Sequence, residues 1–356
     1  MVQGHGLGHV CYVLPPHILD SIAQNGSPAQ RKAALSTIST DHTFRSLRLA
    51  RAMTAAPTIA APAVLSDPKV QRTLYTAKNT ETLPGAVVRS EGSQASTDVA
   101  VNEAYDGLGA TFDFYWQVLE RNSIDGRGLP LIATVHYGEK FDNAYWDGQQ
   151  MVFGDGDQEL FNRFTISLDV IGHELTHGVT GAEANLQYLN QSGALNESIS
   201  DVFGSLIRQR VLKQTADAAD WLIGKGLLVA TVHGTALRSM KAPGTAYDDP
   251  LLGKDPQPGH MRDYVNTMRD NGGVHINSGI PNRAFYLTAT GIGGNAWEAP
   301  GKIWYATVRD PALRPNASFR SFARRTIVSA GRLYGEGSSQ QKATQSAWAE
   351  VGVKTT

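Results

Sequence analysis

The sequence predicts an α+β protein with two lobes that meet at one helix. With 356 residues, the chain is longer than a single hydrophobic core usually serves. Strand signals dominate from Gln71 to Arg163, whereas amphipathic helices dominate after Gly181. The helix that carries His173 lies between these regions, and a cleft between lobes is a usual place for a substrate site. Helices of the second region are expected at 196–211, 282–291, 301–307, 318–331 and 338–351.

Composition excludes several classes of protein. Hydrophobic residues make up 41% and charged residues 18%, as in ordinary globular proteins. The formal net charge of −1 gives no reason to expect a nucleic acid or a membrane as partner. No apolar run approaches the length of a transmembrane helix, and the single Cys11 excludes an internal disulfide framework. The N-terminus lacks the pattern of an ordinary secretory signal.

Residues 1–70 are predicted to form a separate segment. Up to Leu65 this segment carries a net charge of +3, whereas the remainder is acidic. A first helix is predicted from Pro16 to Ala23, ending near Gly26, and a second from Pro28 to Ile38. A third helix is predicted with Asp41 as its cap, and its apolar residues include Phe44, Leu47 and Met53. A linker is predicted from Thr54 to Pro68.

The region from Gln71 to Arg163 contains the strand signals. Residues 131–137 alternate with a two-residue period, and His136 within them is interpreted as a strand residue in preference to a metal ligand. Asp147-Gly148 predicts a hairpin turn. Residues 99–119 are the exception, since their apolar spacing predicts a helix.

The stretch from Asp169 to Gly178 contains His-Glu-Leu-Thr-His. On a helix, His173 and His177 lie one turn apart on one face, with Glu174 beside them. Two neutral imidazoles suit zinc, and a neighbouring carboxylate can accept the proton of a zinc-bound water. Apolar residues at spacings of three and four predict that helix: Phe161, Phe164, Leu168, Ile171, Leu175 and Val179.

A second amphipathic helix offers a third ligand. Asn196 is expected to cap it, and Glu197 and Asp201 share one face. Catalytic zinc usually has three protein ligands, so Glu197 is predicted to be the third, with Asp201 accepting the other N–H of a ligand histidine. From spacing alone, a solvated acidic face explains these two residues equally well.

These motifs in combination resemble the thermolysin-like metallopeptidases. The sequence GALNESISDVFG follows at 193–204, and DNGGVHINSGIP follows at 270–281. Upstream, NAYW at 143–146 and FGDGD at 153–157 also match. The resemblance runs from about Thr73 to the C-terminus. It implies a β-rich lobe over 71–178 that ends in the His173 helix, a mainly helical lobe over 179–356, and a zinc site between them.

The resemblance further implies a zinc-dependent neutral endopeptidase, in which Glu174 assists the attack of a zinc-bound water on a peptide bond. Tyr188 and His275 would donate to the oxyanion, and Asp270 would orient His275. The implied ligands of one catalytic zinc are His173, His177 and Glu197.

Substrate contacts are implied in the same way. Asn143 and Ala144 would lie on an edge strand that pairs with an extended peptide, and Arg238 would bind the carbonyl of the residue after the cut. An apolar pocket for that residue implies preference for a bulky hydrophobic side chain. Its implied lining is Phe161, Phe164, Val170, Ile223, Leu227 and Leu237, although core packing explains Phe161 equally well.

Residues 1–70 resemble the short prosegment of protealysin-like members of this family. Pro15, Pro16 and His17 stand at the Pro-Pro-aromatic motif, with His17 in place of the aromatic residue. The segment is therefore expected to be an intramolecular inhibitor and folding aid that lays residues 10–18 along the cleft. Cys11 and His17 could also approach the metal, although ordinary contacts are the favoured interpretation for both.

The family's calcium sites appear only in part, so Ca²⁺ is not expected here. Asp169 and Asp220 remain, and cations at the other acidic positions could pair with them directly. The family has a double calcium site whose other acidic ligands are replaced here by Arg208, Leu222 and Lys225. Thr235 stands in place of an acidic ligand of a further calcium site of the family.

Two further interpretations stay open. The chain could be a catalytically silent fold acting as a zinc-containing binding module, although a structural zinc usually has four protein ligands. Residues 1–70 could instead be an arm that binds a separate partner. The main hypothesis is a monomeric endopeptidase that acts on peptides or proteins. It would be secreted or extracytoplasmic, with an intracellular location as the alternative.

Overall fold

The first segment adds a strand and two helices to the fold. The computed structural model describes residues 11–52 and 68–355. The helix predicted at Pro16 is confirmed, but the two helices predicted after it are one, because no Gly or Pro interrupts residues 29–52. The predicted linker lies outside the described residues except for Pro68. The elements are β1 (Cys11–Tyr12), α1 (Pro16–Asn25) and α2 (Pro28–Ala52).

A six-stranded sheet forms the base of the N-terminal lobe. Its strand order is β1-β5-β6-β4-β2-β3, in which β4 is parallel to both of its neighbours. Strand β1 pairs antiparallel with β5, and Tyr12 lies opposite Tyr145. The predicted hairpin turn joins β5 to β6. The remaining elements are β2 (Arg72–Thr76), β3 (Ala86–Ser90), α3 (Val99–Leu119), β4 (Leu131–Val135), β5 (Ala144–Trp146) and β6 (Met151–Phe153).

The prediction that His136 belongs to a strand is wrong. Strand β4 ends at Val135, and His136 has a left-handed φ of 55°. Its ring lies between two carboxylates, with Nδ1 2.8 Å from Asp155 and Nε2 2.7 Å from Asp98. The hydrogen bond with Asp155, together with Asp98, raises the pKa of His136 to about 9 despite burial. Asp98 also caps α3, so this imidazole connects the sheet to that helix.

Helices α4 (Leu168–Glu183) and α5 (Asn190–Leu212) pack closely against each other. A Cβ atom at Gly204 would lie 2.3 Å from the Asp169 carbonyl oxygen, so only glycine allows this approach. The contact sets the faces of the two helices side by side. Residues of both helices therefore reach one site.

Two details of these helices differ from the predictions. Phe161 and Phe164 precede α4, because Asp157 Oδ1 accepts the N–H of Phe161 in a loop and Phe164 lies in a short 3₁₀ turn. Helix α5 begins six residues before Asn196, whose side chain bonds to His177. Asn196 is therefore not a cap.

The C-terminal lobe is mainly helical, which confirms the predicted α+β class. Apart from the earlier start of α5, each helix predicted in this lobe is present within a few residues of its expected bounds. None of the described helices combines the length and apolar character that a bilayer crossing requires. The elements are β7 (Leu222–Ile223), β8 (Arg238–Ser239), β9 (Asp248–Asp249), β10 (Gly253–Lys254), α6 (Asp270–Asn277), α7 (Gly279–Ile292), α8 (Ala299–Val308), α9 (Phe319–Tyr334) and α10 (Ser339–Glu350).

Candidate active site

His173 and His177 are oriented by acceptors on α5. His173 Nδ1 lies 2.8 Å from Asp201 Oδ1, and His177 Nδ1 lies 2.8 Å from Asn196 Oδ1. Ser200 Oγ lies 3.0 Å from His177 Nδ1. A carboxylate and an amide oxygen can only accept, so each imidazole donates from Nδ1 and leaves a lone pair on Nε2.

The two Nε2 atoms point toward each other and toward Glu197. They lie 3.0 Å apart, and each lies 3.5 Å from an oxygen of the Glu197 carboxylate. All three side chains are buried, and Glu197 Oε2 accepts no hydrogen bond. Lone pairs brought this close repel one another unless a cation lies among them. Two imidazoles and one carboxylate are the donor set of catalytic zinc sites, so these residues fit zinc.

Glu174 lies beside this group on α4 and is fully buried. Its Oε2 atom accepts the backbone N–H of Trp146 at 3.2 Å. The last residue of β5 therefore helps to orient the predicted base, a contact that the sequence did not indicate.

His275, Asp270 and Tyr188 meet on the other side of Glu197. The residues between Asp270 and His275 include three with left-handed φ, at 51°, 86° and 73°. This turn lets Asp270 accept both the His275 backbone N–H at 2.8 Å and Nδ1 at 2.7 Å. Tyr188 donates to Glu197 Oε1, and its hydroxyl lies 3.2 Å from His275 Nε2.

Arg238 and Asp201 form a buried ion pair behind the histidines. The guanidinium donates to both carboxylate oxygens at 2.8 and 2.9 Å, and Asn282 donates to Oδ2 at 2.8 Å. Burial alone would raise the pKa of Asp201, but Arg238 and His173 together hold it well below its usual value. Asp201 therefore remains a carboxylate that can accept from His173.

The predicted cleft residues lie next to this group. The Asn143 side-chain oxygen accepts the N–H of Ala144 at 3.0 Å, at the start of β5. The predicted pocket residues are at most 1% exposed and are part of the main hydrophobic core, to which Val13 and Leu14 of the first segment also belong. Phe161 contributes to it from a loop that forms a bridge with Leu228. The predicted pocket residues are Phe161, Phe164, Val170, Ile223, Leu227 and Leu237.

The first segment lies in this cleft. Val13 N donates to the Ala144 carbonyl at 3.4 Å, and Leu14 N donates to Asn143 Oδ1 at 3.0 Å. Arg238 Nη1 donates to the Val13 carbonyl at 2.9 Å, and His275 Nε2 lies 3.1 Å from the Tyr12 carbonyl oxygen. No pattern in the sequence indicates this register, because it depends on strand pairing between residues that are distant along the chain.

The proline motif ends the extended part of the segment. Pro15 is buried and precedes α1, whose first residue is Pro16. His17 Nε2 lies 2.8 Å from the Tyr247 hydroxyl, and its Nδ1 is buried without a hydrogen-bond partner. The pKa of His17 is lowered to about 4, chiefly by burial. Asp270 opposes this shift, and the nearby His275 and Arg238 add to it.

The predicted calcium positions contain ion pairs. Arg208 donates to both oxygens of Asp220 at 2.8 and 3.0 Å and lies 3.6 Å from Asp169, whose side chain is fully buried. Lys225 Nζ lies 3.0 Å from Asp220. Thr235 bonds to the Ala246 carbonyl.

Known proteins match nearly the whole chain. Residues 60–181 match "Thermolysin metallopeptidase, catalytic domain", and residues 184–353 match "Thermolysin metallopeptidase, alpha-helical domain". An "Extracellular metalloprotease" of Pectobacterium carotovorum subsp. carotovorum is 52% identical, over 97% of both chains. A "Bacillolysin" of Brevibacillus brevis is 39% identical over 79% of this chain and 51% of its own length.

A solved structure also matches. The precursor of protealysin, a metalloproteinase from Serratia proteamaculans, superposes with a TM-score of 0.87 at 54% identity. The match covers 97% of this chain and 100% of that one. The chain belongs to the thermolysin family of metallopeptidases.

Proposed function

We propose that this chain is the inactive precursor of a zinc-dependent endopeptidase that cuts peptide bonds before bulky hydrophobic residues. The convergence of two imidazole lone pairs and one carboxylate beside Glu174 supports this proposal most directly. In it, residues 71–178 and 179–356 form the two lobes of the enzyme, and residues 1–70 form the prosegment.

His173, His177 and Glu197 would hold one zinc ion. Zinc in such a site polarises the substrate carbonyl and makes water easier to deprotonate. Asp201 keeps His173 in the tautomer that offers Nε2, as Asn196 does for His177.

Glu174 acts as general base on the attacking water and then delivers the proton to the leaving amine. His275 and Tyr188 donate to the oxyanion that develops on the attacked carbonyl. Asp270 holds His275 in place through two hydrogen bonds, so it is a positioning residue.

Specificity would come from the cleft wall. The backbone of Ala144 and the side chain of Asn143 pair with an extended peptide, and Arg238 binds the carbonyl of the residue after the cut. The apolar pocket that includes Phe164, Val170 and Leu237 would accept a bulky hydrophobic side chain and reject a charged one.

Residues 1–70 would inhibit the enzyme by occupying the cleft. The backbone contacts of Val13 and Leu14 to β5 and to Arg238 support this role. Relatives with extracellular metalloprotease names favour a secreted enzyme. The ion pairs of Arg208 favour a fold that does not use calcium.

The test is peptide cleavage by the purified chain with and without a zinc-selective chelator. Peptides should differ only in the residue after the cut, with Leu, Ala and Asp compared. Activity that needs zinc and favours Leu supports the proposal, and activity that survives full zinc removal contradicts it. A variant that lacks residues 1–20 should be active without delay, whereas an unchanged delay would show that the segment is not an inhibitor.

A further inference from the structure

We propose that the Tyr12–Val13 peptide bond is bound as a substrate and that the enzyme cuts it in its own chain. This self-processing site within the first segment is distinct from any cut that separates residues 1–70 from the lobes. The inference rests on the proposed function, because it uses the roles assigned there to Arg238 and His275.

Two separate contacts identify the same bond. Arg238, proposed to bind the carbonyl of the residue after the cut, donates to the carbonyl of Val13 at 2.9 Å. His275, proposed to donate to the attacked carbonyl, places Nε2 3.1 Å from the Tyr12 carbonyl oxygen. The first contact makes Val13 the residue after the cut, and the second makes Tyr12 the residue before it.

The backbone is held on both sides of this bond. Tyr12 pairs with Tyr145 across β1 and β5, whereas Val13 N and Leu14 N donate to Ala144 and Asn143. The extended backbone therefore reaches the reacting groups in a fixed register, as a bound substrate must.

Side-chain environments fit the same register. The Tyr12 ring packs against Tyr145 with centroids 5.0 Å apart, within a small aromatic cluster that includes Tyr137 and Phe141. The Val13 side chain is fully buried in the main hydrophobic core of the protein, and its carbonyl contacts Arg238. The site is thus suited to an aromatic residue before the cut and an aliphatic residue after it.

The reaction is hydrolysis. The hydroxyl of water bonds to the Tyr12 carbonyl carbon, the C–N bond to Val13 breaks, and the second proton of water passes through Glu174 to the Val13 nitrogen. The products are a carboxylate at Tyr12 and an amino terminus at Val13, and no other reactant is required.

The folded structure that follows the Tyr12–Val13 bond explains how the first segment can be both a substrate and an inhibitor of the enzyme. Helix α1 begins two residues after Leu14, and Ile18, Leu19 and Ile22 are buried in the main core. The product that begins at Val13 therefore stays docked after the cut. Release of this folded product, and not the cut itself, would limit the appearance of activity.

The experiment uses the full-length, zinc-loaded chain and follows intact mass over time. We expect separation of residues 1–12 from a product that begins at Val13, at a rate independent of protein concentration. Val13→Asp should slow this cut by at least about 100-fold, because the pocket would have to bury an unpaired carboxylate. Tyr12→Phe retains the ring and should be cut at the normal rate.

A synthetic peptide of residues 8–18 checks the register without relying on the docked segment. Mature enzyme should cut it between Tyr12 and Val13, and a cut at another bond would overturn the inference. The inference would also be overturned if the Tyr12–Val13 bond stayed intact in both the chain and the peptide while the enzyme cleaved an unrelated peptide. If no peptide is cleaved at all, the proposed function fails as well.

Discussion

Arg238 and Asp201 are joined by two hydrogen bonds while both side chains are almost completely buried. Asp201 also accepts from His173, and Arg238 also donates to the Val13 carbonyl. A single ion pair therefore links the orientation of a proposed metal ligand to the recognition of a peptide in the cleft.

Arg238→Met should destabilise the protein by about 3–5 kcal/mol, because it leaves the Asp201 carboxylate buried with its charge partner removed. Urea unfolding of the zinc-loaded protein would measure this loss. Arg262→Met is the matched control, since the Arg262 side chain is 75% exposed and should change stability by at most about 0.5 kcal/mol. A loss below about 1 kcal/mol in Arg238→Met would show that the pair does not stabilise the fold.

Glu174→Gln should retain zinc but reduce peptide cleavage by at least about 100-fold, because an amide cannot accept a proton from water. Zinc content and initial rates should be measured on the same preparation. Glu159→Gln changes an exposed glutamate paired with Lys140 and should cleave normally. Substantial cleavage by a zinc-loaded Glu174→Gln variant would remove Glu174 from its proposed role.

Docking of the first segment should weaken in acid because of His17. The pKa of His17 is about 4 when docked and about 6.5 when free, so the docked state binds fewer protons. Docking is therefore strongest above pH 6.5 and weakens as the pH falls toward 4, by up to about 30-fold at pH 5. The charges that face the ring are those of Asp270, His275 and Arg238, with Tyr247 as its hydrogen-bond partner.

The measurement is the delay before peptide cleavage begins at pH 7.5, after incubation of the precursor at pH 5 or at pH 7.5. The delay should be shorter after the acid incubation. His17→Gln retains a polar side chain but cannot titrate. The delay of this variant should therefore change with the incubation pH less than the delay of the unaltered protein, and any remaining change comes from other groups of the chain. Equal acid responses in both proteins would exclude His17 as the cause.

Thermal stability should be almost indifferent to calcium. Arg208 supplies positive charge to Asp169 and Asp220 without a metal, so millimolar Ca²⁺ should leave the melting temperature nearly unchanged. A rise of more than about 5 °C would show that these positions bind the ion.

The same ion pairs make a second prediction. Arg208→Met should destabilise by about 1–3 kcal/mol, because it leaves the fully buried Asp169 without a nearby cation. Lys225→Met removes the charge of a side chain that is 53% exposed, so it should cost at most about 1 kcal/mol. Melting temperatures of the two variants decide between these outcomes, and equal losses would contradict the importance of Arg208.

The residues of the candidate site could be predicted from the sequence more reliably than the contacts that surround them. His173, His177 and Glu197 could be found because helical spacing fixes which side chains share a face. Asn196 was misinterpreted as a cap, because a polar residue before an apolar pattern does not reveal whether its partner is the local backbone or a distant imidazole. The spacing of four between Asn196 and Ser200, parallel to that of Glu197 and Asp201, was the available signal.

Tertiary contacts explain the other differences. Phe161 and Phe164 have helical spacing with α4, but the Asp157 side chain holds the preceding backbone in a loop. His136 continues an alternating pattern, yet two carboxylates distant in sequence fix it in a left-handed conformation. Local periodicity contains no information about such partners.

Strand β1 also affects whether the sheets of separate molecules can pair through their edge strands. Once it leaves, β5 becomes the border of the sheet and exposes unpaired backbone groups that any extended chain can join. While β1 is in place, the sheet ends in a strand of two residues followed closely by Pro15 and Pro16, which lack the N–H groups that a further strand would need. While β1 stays paired with β5, this edge of the sheet therefore offers little backbone for edge-to-edge pairing of separate molecules.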